Sequence, residues 1–423
     1  QRQWQWLKLG SSPLTIDHCH CRWPLRRAAP SMAQPPGKRP RVAGLADLAG
    51  PEPVCHVPKD VTARIRRNLA AAPSVEGAGG PGRFLLLSWN IDGIDEAQGA
   101  DLMLRTLAVA EHISVTQPVA VLLQEVVPPQ LQLLMASQTL GEHYSVVCPE
   151  NPRMPYYCAI LLHKRRARAT GPPRTRHFEA SKMGRHLLSV DIVVDGRDHA
   201  PLTIMTTHSE STKTEKVERT KQIAEALVTM AEHAALSDPG CLRTAVLAGD
   251  LNARDDELVA ARKRARERCE GVDDVVDAWT FCGSPKNHQF TWDTEVNTNL
   301  GALYKSKCRF DRCLFASPGL SGSSGGQRRG NAAAGVVPGR GAAWRAAGFE
   351  LVGKDKVAGL GRFPSDHWGL QIAWALDGAE ISSSSSASAP PASGGAAAAA
   401  VDLAAAAPSG GGGSGGGGGA AAA

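Results

Sequence analysis

The fold is decided by residues 84–91, FLLLSWNI, and by the polar residues that end and follow this run. A short apolar run bounded by polar residues predicts a buried β-strand. Asn90 and Asp92 stand at its end. A buried apolar strand can form without an amide or a carboxylate at this position, so these side chains suggest a function. Ligands of layered α/β proteins bind outside the ends of strands. The stretch therefore predicts both a strand and one edge of a site.

Seven further runs of this kind alternate with helical stretches along the chain. They are rich in Val, Leu and Ile, which is typical of strands buried on both faces of a sheet. The sequence therefore predicts a layered α/β domain. The predicted strands are VAVLLQEV (119–126), AILLHK (159–164), LLSVDIVV (187–194), LTIMTTH (202–208), TAVLAGDLN (244–252), RFDRCLFA (309–316) and HWGLQIAWAL (367–376), and the predicted helices are Ala100–Ser114, Pro128–Leu140 and Glu215–Ala235.

Composition divides the 423 residues into three parts, and the middle part contains one inserted segment. Residues 1–82 lack this patterning and are predicted to form a disordered basic segment, and 83–376 are predicted to form the catalytic domain. Residues 317–341 are rich in Gly and Ser and predict a flexible insertion within that domain. Residues 377–423 consist almost only of Ala, Gly, Ser and Pro, which predicts a disordered tail. No apolar run reaches the roughly 18 residues that a membrane span needs. We also expect the protein to be a monomer.

A short basic run near the start of the chain bears on location. Lys38, Arg39 and Arg41 are flanked by Pro and Gly. Such a run is either a nuclear-import signal or a solvated basic loop. We expect import, and hence a nuclear protein.

Five strand ends carry polar residues that suit one kind of chemistry. Carboxylates are hard oxygen ligands that suit Mg²⁺. A further carboxylate beside an amide can orient and deprotonate a water, and a histidine can donate to a phosphate oxygen. Together these groups predict a metal-assisted phosphodiesterase site. The residues are Asn90, Asp92, Glu125, His208, Asp250, Asn252, Asp366 and His367.

A series of motifs in fixed order resembles the endonuclease/exonuclease/phosphatase superfamily, the DNase I-like metal hydrolases. Over about residues 83–376 the chain is also similar, at closer range, to the 5′-tyrosyl-DNA phosphodiesterases within it. The resemblance implies a four-layer α/β sandwich of two packed mixed sheets flanked by helices. The motifs are LSWNIDG (87–93), LLQEV (122–126), THSEST (207–212), AGDLNARD (248–255), FTWDT (290–294), RFDR (309–312) and FPSDHWGL (363–370), and the closer likeness adds YYCAIL (156–161) and NTNLG (297–301).

The resemblance implies a role for each site residue. Glu125 is the expected Mg²⁺ ligand, with Mn²⁺ as a possible substitute and Asp92 reaching the metal or its water shell. Asp250 is expected to position the attacking water, and His367 to stabilise the phosphate. The other expected catalytic residues are Asn90, Asn252, Asp366 and Asp311, the last orienting His367, and the expected substrate-binding residues are His208, Ser211, Arg254, Tyr156, Trp292 and Phe310.

The substrate that the resemblance implies is DNA whose 5′ end carries a tyrosine left by a topoisomerase, a lesion handled in DNA repair. A phenol, with a pKa near 10, leaves more readily than a sugar alkoxide. An apurinic-site endonuclease or a phospholipid or inositol phosphate phosphatase is a second interpretation, which FTWDT and NTNLG disfavour. A non-catalytic DNA-binding protein is a third, which the intact polar residues disfavour. Arg185 is left open between a DNA-backbone contact and a solvated arginine.

Overall fold

The computed structural model describes residues 82–377, with gaps at 96–98, 137, 239 and 318–341, together with the single residues 63 and 67. Almost all of the predicted N-terminal segment, insertion and tail, including the basic run at Lys38–Arg41, therefore lies outside the described residues. None of the helices in the described part is long and apolar enough to span a membrane.

The described chain alternates short strands with helices. The strands are β1 (Arg83–Asn90), β2 (Ala120–Val126), β3 (Tyr144–Val147), β4 (Tyr157–His163), β5 (Ala167–Ala169), β6 (Arg174–His177), β7 (His186–Val194), β8 (Leu202–Thr207), β9 (Thr244–Asp250), β10 (Val275–Asp277), β11 (Trp292–Asp293), β12 (Lys307–Cys308), β13 (Asp311–Ala316), β14 (Trp344–Val352) and β15 (Gly369–Leu376). The helices are α1 (Ala100–Thr116), α2 (Pro128–Ala136), α3 (Gln138–His143), α4 (Lys216–Ala235), α5 (Asp255–Arg266) and α6 (Ala278–Phe281).

These strands form two mixed sheets and one small ribbon. The first sheet has the order β14-β15-β1-β2-β4-β3, and the second has the order β10-β13-β9-β8-β7-β5, with β6 also paired to β7. In the first sheet β1 runs parallel to β2 and antiparallel to β15, and in the second β8 runs parallel to β9. The strands β11 and β12 form the two-stranded ribbon, and Trp292 of β11 also forms an isolated backbone bridge with His367. The two parallel pairs lie in the middle of their sheets.

The two sheets pack face to face and each is covered outside by helices. Leu86 lies in the core between the sheets, whereas Leu87 lies in a second core that includes Val109 and Ile113 of α1. Neighbouring strand residues point to opposite faces, so both leucines are buried. A third core joins the outer face of the second sheet to α4 and α5. This layering of helix, sheet, sheet and helix confirms the predicted four-layer sandwich.

Some elements differ from the sequence prediction. The predicted helix Pro128–Leu140 is instead two helices, α2 and α3. The strand β14 was not predicted because it is an edge strand with only partial burial and contains Gly348, where its register with β15 shifts. Helix α5 was missed because it is strongly charged and buries little beyond Ala261 and Ala265.

Two boundary residues belong to the domain rather than to its flanks. Ser317, assigned to the insertion from the sequence, is buried, and its hydroxyl lies 3.0 Å from that of Thr244. Asp377, assigned to the tail, donates its N–H to the Ala343 carbonyl at 2.9 Å and pairs with Arg345 at 3.0 Å. The domain therefore extends through Ser317 before the gap and through Asp377 at its end.

Candidate active site

The site forms where the central strands of the two sheets end side by side. Asn90 ends β1, Glu125 stands next to the last residue of β2, and Asp250 ends β9. His208 follows β8 and forms a backbone bridge with Asp250. The Nδ2 atom of Asn90 donates to Oδ2 of Asp250 at 3.1 Å, so the two sheets meet at this point through side chains.

Three of the predicted site residues adopt a left-handed backbone conformation. The φ angle is 49° at Asp92, 55° at Glu125 and 50° at Asn252. Such angles are uncommon outside glycine and are retained where the surrounding structure enforces them. Gly93 allows two of these turns to approach each other, because its N–H donates to the Glu125 carbonyl at 3.1 Å and a Cβ there would lie 2.3 Å from that oxygen. The strand-end turns are thus shaped to bring polar side chains together.

Asp250 is the centre of the polar cluster. Its Oδ1 accepts from the backbone N–H of Asn252 at 2.9 Å. Its Oδ2 lies 3.4 Å from Nε2 of His208 and 3.7 Å from Nε2 of His367. The side chain is 2% exposed, so these partners take the place of bulk water around the carboxylate.

His367 is held by a second buried carboxylate. Its Nδ1 atom lies 2.8 Å from Oδ2 of Asp311, whose own backbone N–H donates to Thr291 at 3.0 Å. Burial opposes a charge on the imidazole, but the carboxylates of Asp311, Asp366 and Asp250 outweigh it and raise the pKa of His367 well above its usual value. His367 is therefore a cation, whose Nδ1–H donates to Asp311 and whose Nε2–H lies on the side of Asp250.

The imidazole of His208, in contrast to that of His367, is uncharged. Arg185 points Nη1 at Nδ1 of His208 from 2.7 Å, and because a guanidinium only donates, Nδ1 is the acceptor. Burial and the nearby charge of Arg185 lower the pKa of His208 well below its usual value. The ring is neutral, and its Nε2–H faces Asp250. The alternative of a solvated Arg185 is wrong, since this residue is 4% exposed.

A group of carboxylates lies beside the two histidines. Burial and the neighbouring charge of Asp366 raise the pKa of Glu125 to about 7. Burial, Asp366 and Glu125 likewise raise the pKa of Asp92 well above its usual value. Oxygen donors that destabilise one another's charge suit a divalent cation. A second set, Asp250, Asp311 and His367, brings ligand atoms within 4.8 Å of one another and also has the composition of a metal site.

The comparisons with known proteins agree with this geometry. Residues 87–367 match the model of the Endonuclease/Exonuclease/phosphatase family. The chain belongs to the endonuclease/exonuclease/phosphatase family. Within it, the chain is 33% identical over 288 residues to tyrosyl-DNA phosphodiesterase 2 of Homo sapiens, which covers 68% of this chain and 67% of the relative. The protein of that name from Danio rerio is 29% identical over 328 residues, or 78% of this chain and 75% of the relative.

Solved structures of the same group share the fold. The D. rerio TDP2 structure, complexed with single strand DNA product, has a TM-score of 0.54 at 26% identity and covers 70% of this chain and 99% of that one. Truncated Caenorhabditis elegans TDP2 has a TM-score of 0.53 at 28% identity and covers 69% of this chain and 98% of that one. The chain therefore shares its fold with solved structures of TDP2, as its sequence motifs predict.

The predicted substrate-binding aromatics of this family member lie in two places. The ring centroid of Trp292 is 5.6 Å from that of Phe310 and 6.5 Å from that of Tyr304, an exposed residue that the sequence did not single out. Trp292 also donates Nε1–H to Asp366 at 3.3 Å, which ties this aromatic row to the site. Tyr156 instead packs beneath the Arg185 guanidinium, 5.3 Å from its ring centroid.

Tyr156 and Arg185 line a small cleft that opens beside Glu125 and His208. Met183 lines the same cleft and accepts a hydrogen bond from Ser211 at 3.2 Å. Ser211 therefore contacts a residue that lines the cleft. Arg254 is exposed at the start of α5 and follows Asn252 by two residues.

Glu210 is a buried acid that positions Arg185. Its Oε1 accepts from the Ser181 hydroxyl at 2.6 Å and from the backbone N–H groups of Lys182 and Met183 at 2.8 and 3.1 Å. The Ser181 hydroxyl oxygen in turn accepts the N–H of Arg185 at 2.7 Å. No role for Glu210 is predicted from the sequence, because the THSEST motif does not indicate which loop this side chain contacts.

Proposed function

We propose that this chain is a divalent-metal-dependent phosphodiesterase that hydrolyses the bond between a tyrosine and the 5′ phosphate of DNA, in DNA repair. One observation carries the proposal: the cationic His367 and the carboxylate of Asp250 face the same point, 3.7 Å apart, beside the carboxylates of Glu125 and Asp92. A phosphodiester placed there meets a cation on one side and a water-binding carboxylate on the other. The likeness to tyrosyl-DNA phosphodiesterase 2 supports the choice of substrate.

The metal is proposed to be Mg²⁺ held by Glu125 with Asp92. When bound, the ion supplies charge that stabilises the transferring phosphoryl group. The carboxylate oxygens of Glu125 and Asp92 are hard ligands, which Mg²⁺ prefers. The alternative group at Asp311 is less suitable, because Asp311 and His367 already satisfy each other at 2.8 Å. We propose that Mn²⁺ substitutes for Mg²⁺.

Asp250 is proposed to take the proton of the attacking water. Its two oxygens are fixed by the backbone N–H of Asn252 at 2.9 Å and by Nδ2 of Asn90 at 3.1 Å. A carboxylate held in this way keeps a constant direction toward the water, and proton transfer depends first on such geometry. Asn90 and neutral His208 each have a donor in the same space, and we propose that they contact phosphate oxygens.

His367 is proposed to stabilise the negative charge that builds on the phosphate oxygens. Its Nδ1–H is used by Asp311, which leaves Nε2–H as the donor toward substrate. Preformed donors of this kind act strongly in a buried site because they need no reorganisation. The water oxygen bonds to phosphorus as the bond between phosphorus and the tyrosine oxygen breaks. The leaving phenolate takes up a proton, which balances the one removed from the water, and the products are a tyrosine and a 5′-phosphorylated DNA end.

The aromatic row is proposed to hold the DNA end. Trp292 and Phe310 stand at the Asp366 side of the site, and a base or sugar can pack on such rings. The tyrosine is proposed to be the remnant of a topoisomerase. In an in-line displacement the tyrosine leaves from the side of the phosphate opposite the attacking water.

Substrate class is tested by comparing three substrates at equal enzyme concentration: a 5′-tyrosyl oligonucleotide, an abasic duplex and a phosphoinositide. The proposal expects rapid release of tyrosine from the first and little turnover of the others. Preferred cleavage of the abasic duplex or the phosphoinositide would establish another branch of the family. Binding of the oligonucleotide without turnover of any substrate would establish a non-catalytic DNA-binding protein.

We propose that the protein acts in the nucleus. The support is a DNA substrate and the basic run Lys38–Arg41. Fusion to a fluorescent protein tests this, with Lys38–Arg41 deleted in a second sample. Loss of nuclear signal on deletion is expected, and an unchanged distribution would remove the import role of this run.

A further inference from the structure

A partly buried network of two arginines and three aspartates lies behind the site. Arg105 of α1 has a fully buried side chain and donates Nη1–H to Oδ2 of Asp92 at 3.0 Å. Its Nε–H donates to Asp101 at 2.9 Å, and its Nη2 lies 3.2 Å from Asp95. One guanidinium thus binds three carboxylates from two segments, the turn after β1 and the first turn of α1.

Arg362 completes the network from the other side. It donates to Asp101 at 2.7 Å and to Asp95, so the two arginines share both carboxylates. It also donates to the Asn299 carbonyl at 3.2 Å. Arg362 comes directly before the loop 363–367, which carries Asp366 and His367.

The same loop is fixed again closer to the site. Ser365 donates its hydroxyl to the Asn90 carbonyl at 2.6 Å and accepts the His367 N–H at 3.1 Å. Asn297 donates to the Ser365 carbonyl at 2.8 Å. The turn carrying Asp92 and the loop carrying His367 are therefore joined twice, by neutral hydrogen bonds at Ser365 and by charges at Arg105 and Arg362.

We propose that Arg105 is a positioning residue for the divalent cation: by holding one oxygen of Asp92, it directs the other toward the metal site, and through Arg362 it ties that site to His367. This inference rests on the proposed function, because it takes Asp92 and Glu125 as the metal-binding residues. Groups that orient metal-binding carboxylates typically change metal affinity about 10- to 100-fold when they are replaced.

A purely structural role is the rival interpretation, since breaking a buried ion pair is destabilising wherever it stands. Arg166 provides the matched control. Its side chain is 5% exposed, it pairs with Asp195 at 2.8 Å, and it donates to the Arg83 carbonyl at 2.9 Å. Neither of these partners belongs to the candidate active site. A structural role predicts the same behaviour for Arg105→Lys and Arg166→Lys.

The experiment titrates Mn²⁺ alone into the full-length protein and follows free Mn²⁺ by electron paramagnetic resonance, with thermal unfolding recorded for each variant. We expect both lysine variants to lose stability, and only Arg105→Lys to raise the Mn²⁺ dissociation constant about 10- to 100-fold. At saturating Mn²⁺, the KM for a 5′-tyrosyl oligonucleotide is expected to stay near that of the wild type.

Two outcomes would overturn the proposal. Wild-type Mn²⁺ affinity in folded Arg105→Lys, with affinity lost in Glu125→Gln, would make Arg105 structural and leave the proposed function intact. Wild-type affinity in Glu125→Gln would instead remove the metal site itself. If Arg105→Lys does not fold, Asp101→Asn takes its place, because Asp101 binds both arginines and lies outside the metal site.

Discussion

The Nδ1 atom of His367 lies 2.8 Å from Oδ2 of Asp311, although 56 residues separate them. Asp311 is the first residue of β13 in the second sheet, and His367 precedes β15 in the first. The pair therefore exists only when the two sheets have packed against each other. The charge state of His367 therefore depends on the packing of the two sheets.

Replacing Asp311 tests this pairing. Asp311→Asn keeps the shape but removes the negative charge that stabilises the His367 cation. A hydrogen bond to a charged group contributes about 1.5–3 kcal/mol, so kcat for tyrosine release should fall roughly ten- to hundredfold. Asp195→Asn is the control, because Asp195 pairs with Arg166 rather than with a site residue. Equal activity losses in the two variants, or none in folded Asp311→Asn, would contradict the assignment.

Trp292 should contribute to binding of the DNA end. Stacking of a base on an aromatic ring is worth about 1–3 kcal/mol, so Trp292→Ala should lower turnover of tyrosyl-DNA roughly ten- to hundredfold. A nitrophenyl thymidine phosphate covers less of the rings and should lose less. Trp292→Phe keeps the ring without the hydrogen bond to Asp366 and should retain most of the activity.

The rival view of Trp292 is that it only packs the protein. In that case, Trp292→Ala would damage both substrates equally and would lower the melting temperature strongly. Kinetics on both substrates and thermal unfolding of the same variant decide between the two views.

His163 should make the folded protein sensitive to acid. Burial and the charges of Arg166, His143 and Arg165 lower its pKa to about 4. Since the unfolded histidine has a pKa of about 6.5, its contribution is complete above pH 6.5 and is lost as the pH falls toward 4. The loss is on the order of 2–3 kcal/mol.

The measurement is urea unfolding of wild type and His163→Asn between pH 7 and pH 4. The asparagine oxygen can replace Nδ1 as the acceptor of the Arg165 N–H. The variant should therefore lose less stability over this interval. Parallel pH curves for the two proteins would show that His163 is not responsible.

The segments outside the described domain should be dispensable for chemistry. A chain of residues 82–377 keeps the Asp377 contacts to Ala343 and Arg345, and should retain wild-type kcat on tyrosyl-DNA. Shortening it to residues 83–376 should lower the melting temperature, because those contacts are removed. Failure of the 82–377 chain to fold would show that a flanking segment packs on the domain.

Much of the fold could be predicted from the sequence because strands buried on both faces leave a strong local signal. The apolar runs around Leu86 and Val246 mark their strands whatever their neighbours are. The edge strand β14 and the charged helix α5 lack such a signal, since their burial is partial. The strand β14 and the helix α5 form because they pack against the rest of the protein.

The site was predictable to a similar extent. Strand-end residues such as Glu125 and Asp250 stand out because an apolar strand does not require them. Arg105 gave no signal, since an arginine four residues after Asp101 on a helix is usually an exposed pair, and only the structure places it against Asp92. The charge states of His208 and His367 also depend on partners distant in the sequence.

The most direct test of the central claim is tyrosine release from a 5′-tyrosyl oligonucleotide by the full-length protein, measured with Mg²⁺, with EDTA, and after Mg²⁺ is restored. We predict release with Mg²⁺, none with EDTA, full recovery when Mg²⁺ is restored, and little release by Glu125→Gln at any Mg²⁺ concentration. Tyrosine release that persists in EDTA, or that Glu125→Gln retains at the wild-type rate, would contradict this prediction.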